Sequence, residues 1–258
     1  MAERNYIPDL NLHTNNHVLH VKILSIWDLQ SMNKPTLCTM ILCDVKGNRI
    51  DARIPWGEYM NNFKTTLFEG KWYYLQHFRL KRATTIPKYT DFHYEIEFMW
   101  HTKMWHVSDR AKESSLQFIH QDEVNGESDD HVVDAIGVIT TVSTVSSFPY
   151  CCPEGESNYE ARYVTFTIRD NHERIITCVA RGSVCESFLS KFYQLIGSKG
   201  YNYEPLTTVL RFFRTSMFKG SKALISEYGC SRVFIEENFS DFDVSCYMYV
   251  KDIRLLFL

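Results

Sequence analysis

The strongest constraint on the fold is that the chain carries one pattern twice. Leu42-Cys43-Asp44, with Gly47 before Arg49-Ile50, corresponds to Thr167-Ile168-Arg169-Asp170 before Arg174-Ile175. Each block leads into a short strand, a glycine (Gly57, Gly182) and a helical stretch with a phenylalanine near its end (Phe63, Phe188). Repetition on this scale means two copies of one supersecondary plan, each with its own core. The 258 residues suffice for two domains of about 110–130 residues.

The first copy, residues 17–107, alternates like a β-protein. His17–Trp27 puts Leu19, Val21 and Ile23 on one face, and Leu37–Cys43 makes a second strand. Arg49–Ile54 alternates strictly, with Ile50, Ala52 and Ile54 inward and Arg49, Asp51 and Arg53 outward. Tyr59, Met60, Phe63, Leu67 and Phe68 have helical spacing over Glu58–Phe68, and Gly70 stops that helix. Lys71–Leu80 and Phe92–Phe98 follow as strands four and five. Three strands, a short helix and two strands is the order of an OB barrel.

Residues 108–131 read as a polar linker anchored by Leu116, Phe118 and Ile119. The second copy occupies residues 132–258. Its strands are Val132–Val145, Tyr163–Ile168, Ile175–Ala180, Val209–Phe213, Ala223–Ser226 and Val233–Ile235, with a helix over Ser183–Ile196. Ser183 serves as N-cap and Gly197 as stop. Ser146–Glu160 reads as a long loop. The apolar tail from Phe242 fits helix and strand equally. The expected fold class is all-β with short helices, as two tandem OB barrels after an extension, residues 1–16.

Charge is unevenly shared. Residues 17–107 hold 12 Lys/Arg against 8 Asp/Glu, a balance of +4, whereas 108–131 hold 2 against 7, or −5. Residues 132–258 are nearly neutral, with 13 against 14, and the whole chain carries −3. Indiscriminate polyanion binding is therefore not expected, although local basic clusters still suit phosphates. The sequence opens without a secretory signal and has no run long enough for a membrane span, so an intracellular protein is expected. The eight cysteines form no C-x-x-C pair and read as reduced, structural thiols, Cys178 being a core residue. Six histidines in residues 17–107 form no metal-ligand pattern, and no cofactor is expected. A phosphate loop and a nucleophile elbow are both missing, which argues against an enzyme.

Three blocks carry a resemblance. Met40-Ile41-Leu42-Cys43-Asp44 with Gly47 and Arg49-Ile50, then Trp56-Gly57-Glu58 and Phe63, then Glu69-Gly70-Lys71-Trp72-Tyr73-Tyr74, resemble the first DNA-binding OB domain of replication protein A large subunits. Val133-Asp134-Ala135-Ile136-Gly137 resembles the opening of that family's second such domain. The resemblance spans roughly residues 17–245 and is nearest to the large-subunit-like proteins of plants. It implies single-stranded DNA binding in replication, repair or recombination, in the nucleus. The family's zinc-ribbon and N-terminal recruitment domains have no counterpart in these residues.

Such binding combines bases stacked on aromatic faces with cations that track phosphates. By the resemblance, Phe218 is the stacking residue of the second domain, with Arg211, Arg214, Lys219 and Lys222 around it. Trp56 matches a stacking tryptophan, and Arg53, Arg79, Lys81, Arg82 and Lys88 are the first domain's expected phosphate contacts. Arg181 stands where the family's second domain has a tryptophan. Two stacking phenylalanines of its first domain fall on Cys38 and Leu75, which implies weaker binding than in the family. The rival expectation is an OB-fold adaptor that binds proteins through its grooves or its apolar tail, Tyr247–Leu258. The residues do not separate DNA from RNA, and no membrane partner is expected.

Overall fold

The structure is a computed structural model describing residues 5–13, 17–31, 34–84, 88–108, 118, 132–151, 158–170, 173–199 and 206–235. The tail from Phe242, and the expected linker apart from Ser108 and Phe118, lie outside the described residues. The chain divides into two compact units, Met1–Ser115 and Leu116–Leu258. Phe118 makes a single bridge to Asp134 within the second.

In the first unit the strands are β1 (Val18–Ser31), β2 (Lys34–Asp44), β3 (Arg49–Pro55), β4 (Trp72–Gln76), β5 (Arg79–Arg82), β6 (Tyr94–Glu97) and β7 (Lys103–Val107). They form one sheet in the order β5-β6-β3-β2-β1-β4-β7. β4 and β5 are two pieces of the expected fourth strand, parted at His77, whose φ is 57°. The five-strand circuit therefore runs β1–β2–β3–β6 and returns through the broken strand, with β3 and β6 parallel. β7, not foreseen in the sequence, pairs with β4.

The helix is shorter than its apolar spacing predicts. One turn, α1 (Trp56–Glu58), continues as a π-helical turn, Tyr59–Phe63. The chain is then tied off by the buried Tyr73, whose hydroxyl accepts from the Phe68 N–H and donates to the Thr66 carbonyl, each at 2.9 Å. The N-terminal extension is part of this unit's core. Ile7 and Leu10 are buried, and the Ile7 N–H donates to Asp44 Oδ2 at 2.9 Å.

The second unit contains β8 (Val132–Val142), β9 (Ser146–Cys151), β10 (Asn158–Arg169), β11 (Ile175–Arg181), α2 (Gly182–Lys199), β12 (Thr207–Phe218), β13 (Ser221–Ser226) and β14 (Arg232–Ile235). The circuit β8–β10–β11–β13–β12–β8 is hydrogen-bonded at every step, so the barrel closes on itself. α2 plugs the core: Phe188 stacks on Phe166 at 4.4 Å and lies beside Phe192 at 5.6 Å. The segment read as a loop over 146–160 is instead a ribbon in its described parts, β9 pairing with the lengthened start of β10. β14 lies along β12.

Both units have OB topology, and they agree residue by residue. Each β2–β3-type turn opens on an aspartate, Asp44 or Asp170, whose N–H donates to the carbonyl four residues on, Asn48 or Arg174, at 3.0 Å. Counting from that turn, Ala52 pairs with Ile96 in the first unit, and Cys178 with Leu224 in the second. The count brings His77 onto Phe212, also at φ 57° and also at a break in strand pairing. One hydroxyl secures each break. Thr102 Oγ1 donates to the His77 carbonyl at 2.9 Å and accepts from the Met99 N–H at 2.8 Å. Ser231 Oγ does the same for Phe212 at 2.6 Å and Glu227 at 2.7 Å. A left-handed bulky residue is costly, so such a bond at each copy is what holds it there.

Candidate nucleic-acid interface

The outer face of an OB barrel around its second and third strands is where oligonucleotides bind in this fold. In the first unit Trp27, Thr39, Arg53, Glu97 and Arg79 form one row across that face, and Asp51, Glu95 and Lys81 part of the next. The alternation predicts that Arg49, Asp51 and Arg53 face solvent. All three are buried instead. Residues 88–92 explain this at Asp51. The Tyr89 N–H donates to Asp51 Oδ2 at 2.9 Å, and the Tyr89 ring stands edge-on to Trp27 at 4.8 Å. Tyr89 and Thr90 are themselves buried. Burial pushes the Asp51 carboxyl up to about 6, against the opposing pull of the Tyr89 N–H and Arg53.

Arg53, 2% exposed, pairs with Glu95 at 3.3 Å. Lys81 Nζ reaches Glu95 at 3.1 Å and Glu97 at 3.6 Å, and Arg79 pairs with Glu97. These cations are thus committed to carboxylates. Arg82 is exposed, and Lys88 is half-buried beside Tyr89. Trp56 is half-buried, its ring tilted against Tyr59 at 5.4 Å. Cys38 and Leu75 are core residues, so rings at those positions would point inward. The ring on the outer face is Trp27, which the carry-over by resemblance missed.

In the second unit the equivalent positions are apolar or hydroxylic. Val179 stands for Arg53, Ala223 for Glu95, Ile225 for Glu97, Thr177 for Asp51 and Ser216 for Lys81. Val179, Ala223 and Ile225 form a small buried cluster on which Tyr163 and Phe218 pack. The two rings meet edge to face at 5.8 Å, both half-buried, so part of each aromatic surface reaches solvent. Lys219 Nζ lies 5.3 Å from the Phe218 ring centre, and the exposed Arg181 is the cross-strand partner of Tyr163. Burial pulls the Arg181 guanidinium below its ordinary value, while Glu227 and Tyr163 hold it up.

The remaining expected contacts lie elsewhere. Arg211 is buried, 3.9 Å from Asp134 and 4.9 Å over the Phe212 ring. Arg214 Nε bonds Glu227 at 2.8 Å. Lys222 is half-buried and alternates to the opposite face of β13 from Ser221 and Ala223. The structure therefore gathers Phe218, Lys219 and Arg181, adds Tyr163, and withdraws Arg53, Arg211 and Arg214. Tyr163 was legible as the head of the Tyr163, Thr165, Thr167 row.

Among the described residues no group of three or more His, Cys, Asp or Glu could hold a metal ion. Cys38, Cys43, Cys178, Cys185 and Cys230 are buried thiols outside any disulfide. Burial raises the Cys38 and Cys178 thiols and takes Cys230 up to about 12, so they behave as packing groups. No described helix is long and apolar enough to cross a membrane.

Comparison with known proteins gives matches of two kinds, to a family model and to solved structures. A family model described as a domain of unknown function, DUF223, matches residues 8–127. No curated protein matches the chain. Among solved structures, a chain of a replication protein A heterotrimer bound to single-stranded DNA aligns with a TM-score of 0.60 at 16% identity. The alignment covers 96% of this chain and 54% of that one, so this chain spans about half its length. A murine DNA-binding protein with double-stranded DNA aligns at a TM-score of 0.43 and 10% identity, covering 84% of this chain and 94% of that one. The Ifi202 HINa domain with a 20-base-pair duplex aligns at 0.45 and 12%, covering 85% and 96%. The first likeness bears on the fold alone, and it agrees with two OB barrels.

Proposed function

We propose that this chain is a non-enzymatic single-stranded DNA-binding protein, and that the second barrel provides the contact. The observation that carries the reading is the Phe218–Tyr163 pair on the outer sheet face, with Lys219 and Arg181 beside it. A base lies on a solvent-facing ring while neighbouring cations hold the adjoining phosphates. The fold shared with a chain of a DNA-bound replication protein A supports the reading. We extend it to a plant-type large-subunit-like role in replication, repair or recombination in the nucleus.

An OB-fold adaptor is the second reading, favoured by one observation. Arg53, Arg79, Lys81, Arg211 and Arg214 are all paired with carboxylates, which leaves few cations for phosphates. A fluorescence-anisotropy titration of the full chain with oligo-dT of about 25 nucleotides, long enough for two OB grooves, separates the readings. Phe218→Ala should weaken binding by about 1–3 kcal/mol with an unchanged salt slope, because it removes a ring and no charge. If that variant melts like the parent and binds equally well, the Phe218–Tyr163 pair is not the contact; a folded parent that binds no oligo-dT favours the adaptor.

A further inference from the structure

The first barrel's outer face is shut by its own chain, and the closure has a particular chemistry. Trp27 and Thr39 are cross-strand neighbours at its centre. Trp27 Nε1 and Thr39 Oγ1 are both buried and have no hydrogen-bond partner among the described residues. Burying a donor without a partner is costly, so the face is better suited to a different occupant than to the present one. Tyr89 now fills the place. It sets a flat ring against Trp27 and gives one N–H to the Asp51 carboxylate. A ring against an indole and a donor to a carboxylate are also what an unpaired nucleobase presents. Around it stand a donor at Trp27, a hydroxyl at Thr39, a carboxylate at Asp51 and a guanidinium at Arg53, which is a set that reads base edges.

We propose that the face formed by Trp27, Thr39, Asp51 and Arg53 is a nucleobase site, and that Tyr89 occupies it as an internal base mimic until single-stranded nucleic acid displaces residues 88–92. The proposal rests on the single-strand reading above but concerns the other barrel. It makes the free protein a weaker binder than its contacts allow, since apparent affinity falls by the fraction of molecules in which the site is open. With one molecule in ten open, the first barrel's contribution is weakened about tenfold.

The test uses the full chain and oligo-dT. Tyr89→Ala should bind several-fold tighter than the parent, Tyr89→Phe should bind like the parent, and Trp27→Ala in the Tyr89→Ala background should abolish the gain. Because Tyr89 is buried, hydrogen exchange at its amide in the parent gives a readout that no substitution can confound. That amide should be protected in the free protein and exchange faster at saturating oligo-dT. A folded Tyr89→Ala chain that binds no tighter than a binding parent overturns the proposal and leaves the single-strand reading intact. So does unchanged or increased Tyr89 protection in the bound state. Failure of both parent and Tyr89→Ala to bind oligo-dT overturns the reading and the proposal together.

Discussion

The two barrels place different chemistry on one backbone plan. At matched positions the first has Asp51, Arg53, Glu95, Glu97 and Lys81, and the second has Thr177, Val179, Ala223, Ile225 and Ser216. The first set is a charge network sealed beneath Tyr89 and Thr90; the second is a small apolar floor under two rings. Topology thus fixes which positions form the face, while the side chains decide whether it is sheltered by the chain or left for a partner. A buried network of this kind is stable only while each charge keeps its counterpart. The apolar floor has no such dependence.

That contrast can be broken most forcefully at Arg53. Arg53→Ala takes the guanidinium from the buried Glu95, leaves it the half-buried Lys81, and should destabilise the first barrel by up to about 3–5 kcal/mol in a denaturant titration. Importing the second barrel's residues, Arg53→Val with Glu95→Ala and Glu97→Ile, should cost far less, because the carboxylates leave together with their guanidinium. If the single and triple variants are equally damaged, the network is not what holds that face.

A smaller effect is expected from acid. Asp51 has a folded-state value of about 6, above its ordinary 3.8. The folded chain therefore holds this proton more tightly than the unfolded chain. Stability from this group is present below about pH 4 and is lost as pH rises through about 6. Asp51→Asn keeps an acceptor for the Tyr89 N–H but cannot ionise. Between pH 4 and 7 it should flatten the parent's decline, a difference of about 2–3 kcal/mol at most. Equal pH slopes in parent and variant would remove Asp51 from the account.

At Gly137 a Cβ would lie 2.7 Å from the Arg169 carbonyl oxygen. Gly137→Ala should therefore cost the second barrel about 1–3 kcal/mol, visible as a lower melting temperature. The gentlest test compares cations. Lys219→Gln should lower the salt slope of oligo-dT binding by about 0.7, as loss of one phosphate contact does on single strands. Lys81→Gln should barely change it, because Glu95 and Glu97 already hold that ammonium. A larger change at Lys81 would mean that its pairing opens when DNA binds.

Much of the fold was legible because it depends on local pattern. The Asp44 and Asp170 turns, the alternation in β3, the apolar run of β11 and the stripe of Val184, Phe188, Leu189 and Phe192 on α2 are short-range signals. The missed features depend on remote partners. Phe212 has no local propensity for positive φ and His77 only a slight one; a hydroxyl 25 residues downstream of His77 and 19 downstream of Phe212 holds each. Ser146–Cys151 contains Pro149 and reads as a loop, yet it pairs along the length of β10's first half. Arg49, Asp51 and Arg53 alternate as an exposed face should, and at Asp51 only the contact made from residue 89 reverses that expectation. For the site, Phe218 was found by its hairpin position, whereas Arg211 and Arg214 were basic in sequence and paired in space.

The matched register has a consequence for how the chain assembles. Two sheets of equal geometry on one polypeptide can exchange strands during folding, and backbone hydrogen bonding alone cannot reject the exchange. Their faces can. If β11 took the place of β3 beside β6, Val179 would sit where Arg53 belongs, and Glu95 would be buried without its guanidinium. If β3 took the place of β11, Arg53 would be driven into the apolar floor of Ala223 and Ile225. Either error keeps a charge out of water but takes away the partner it is buried with. The divergence between the two faces therefore sets an energetic penalty on hybrid barrels that matching backbones alone would not.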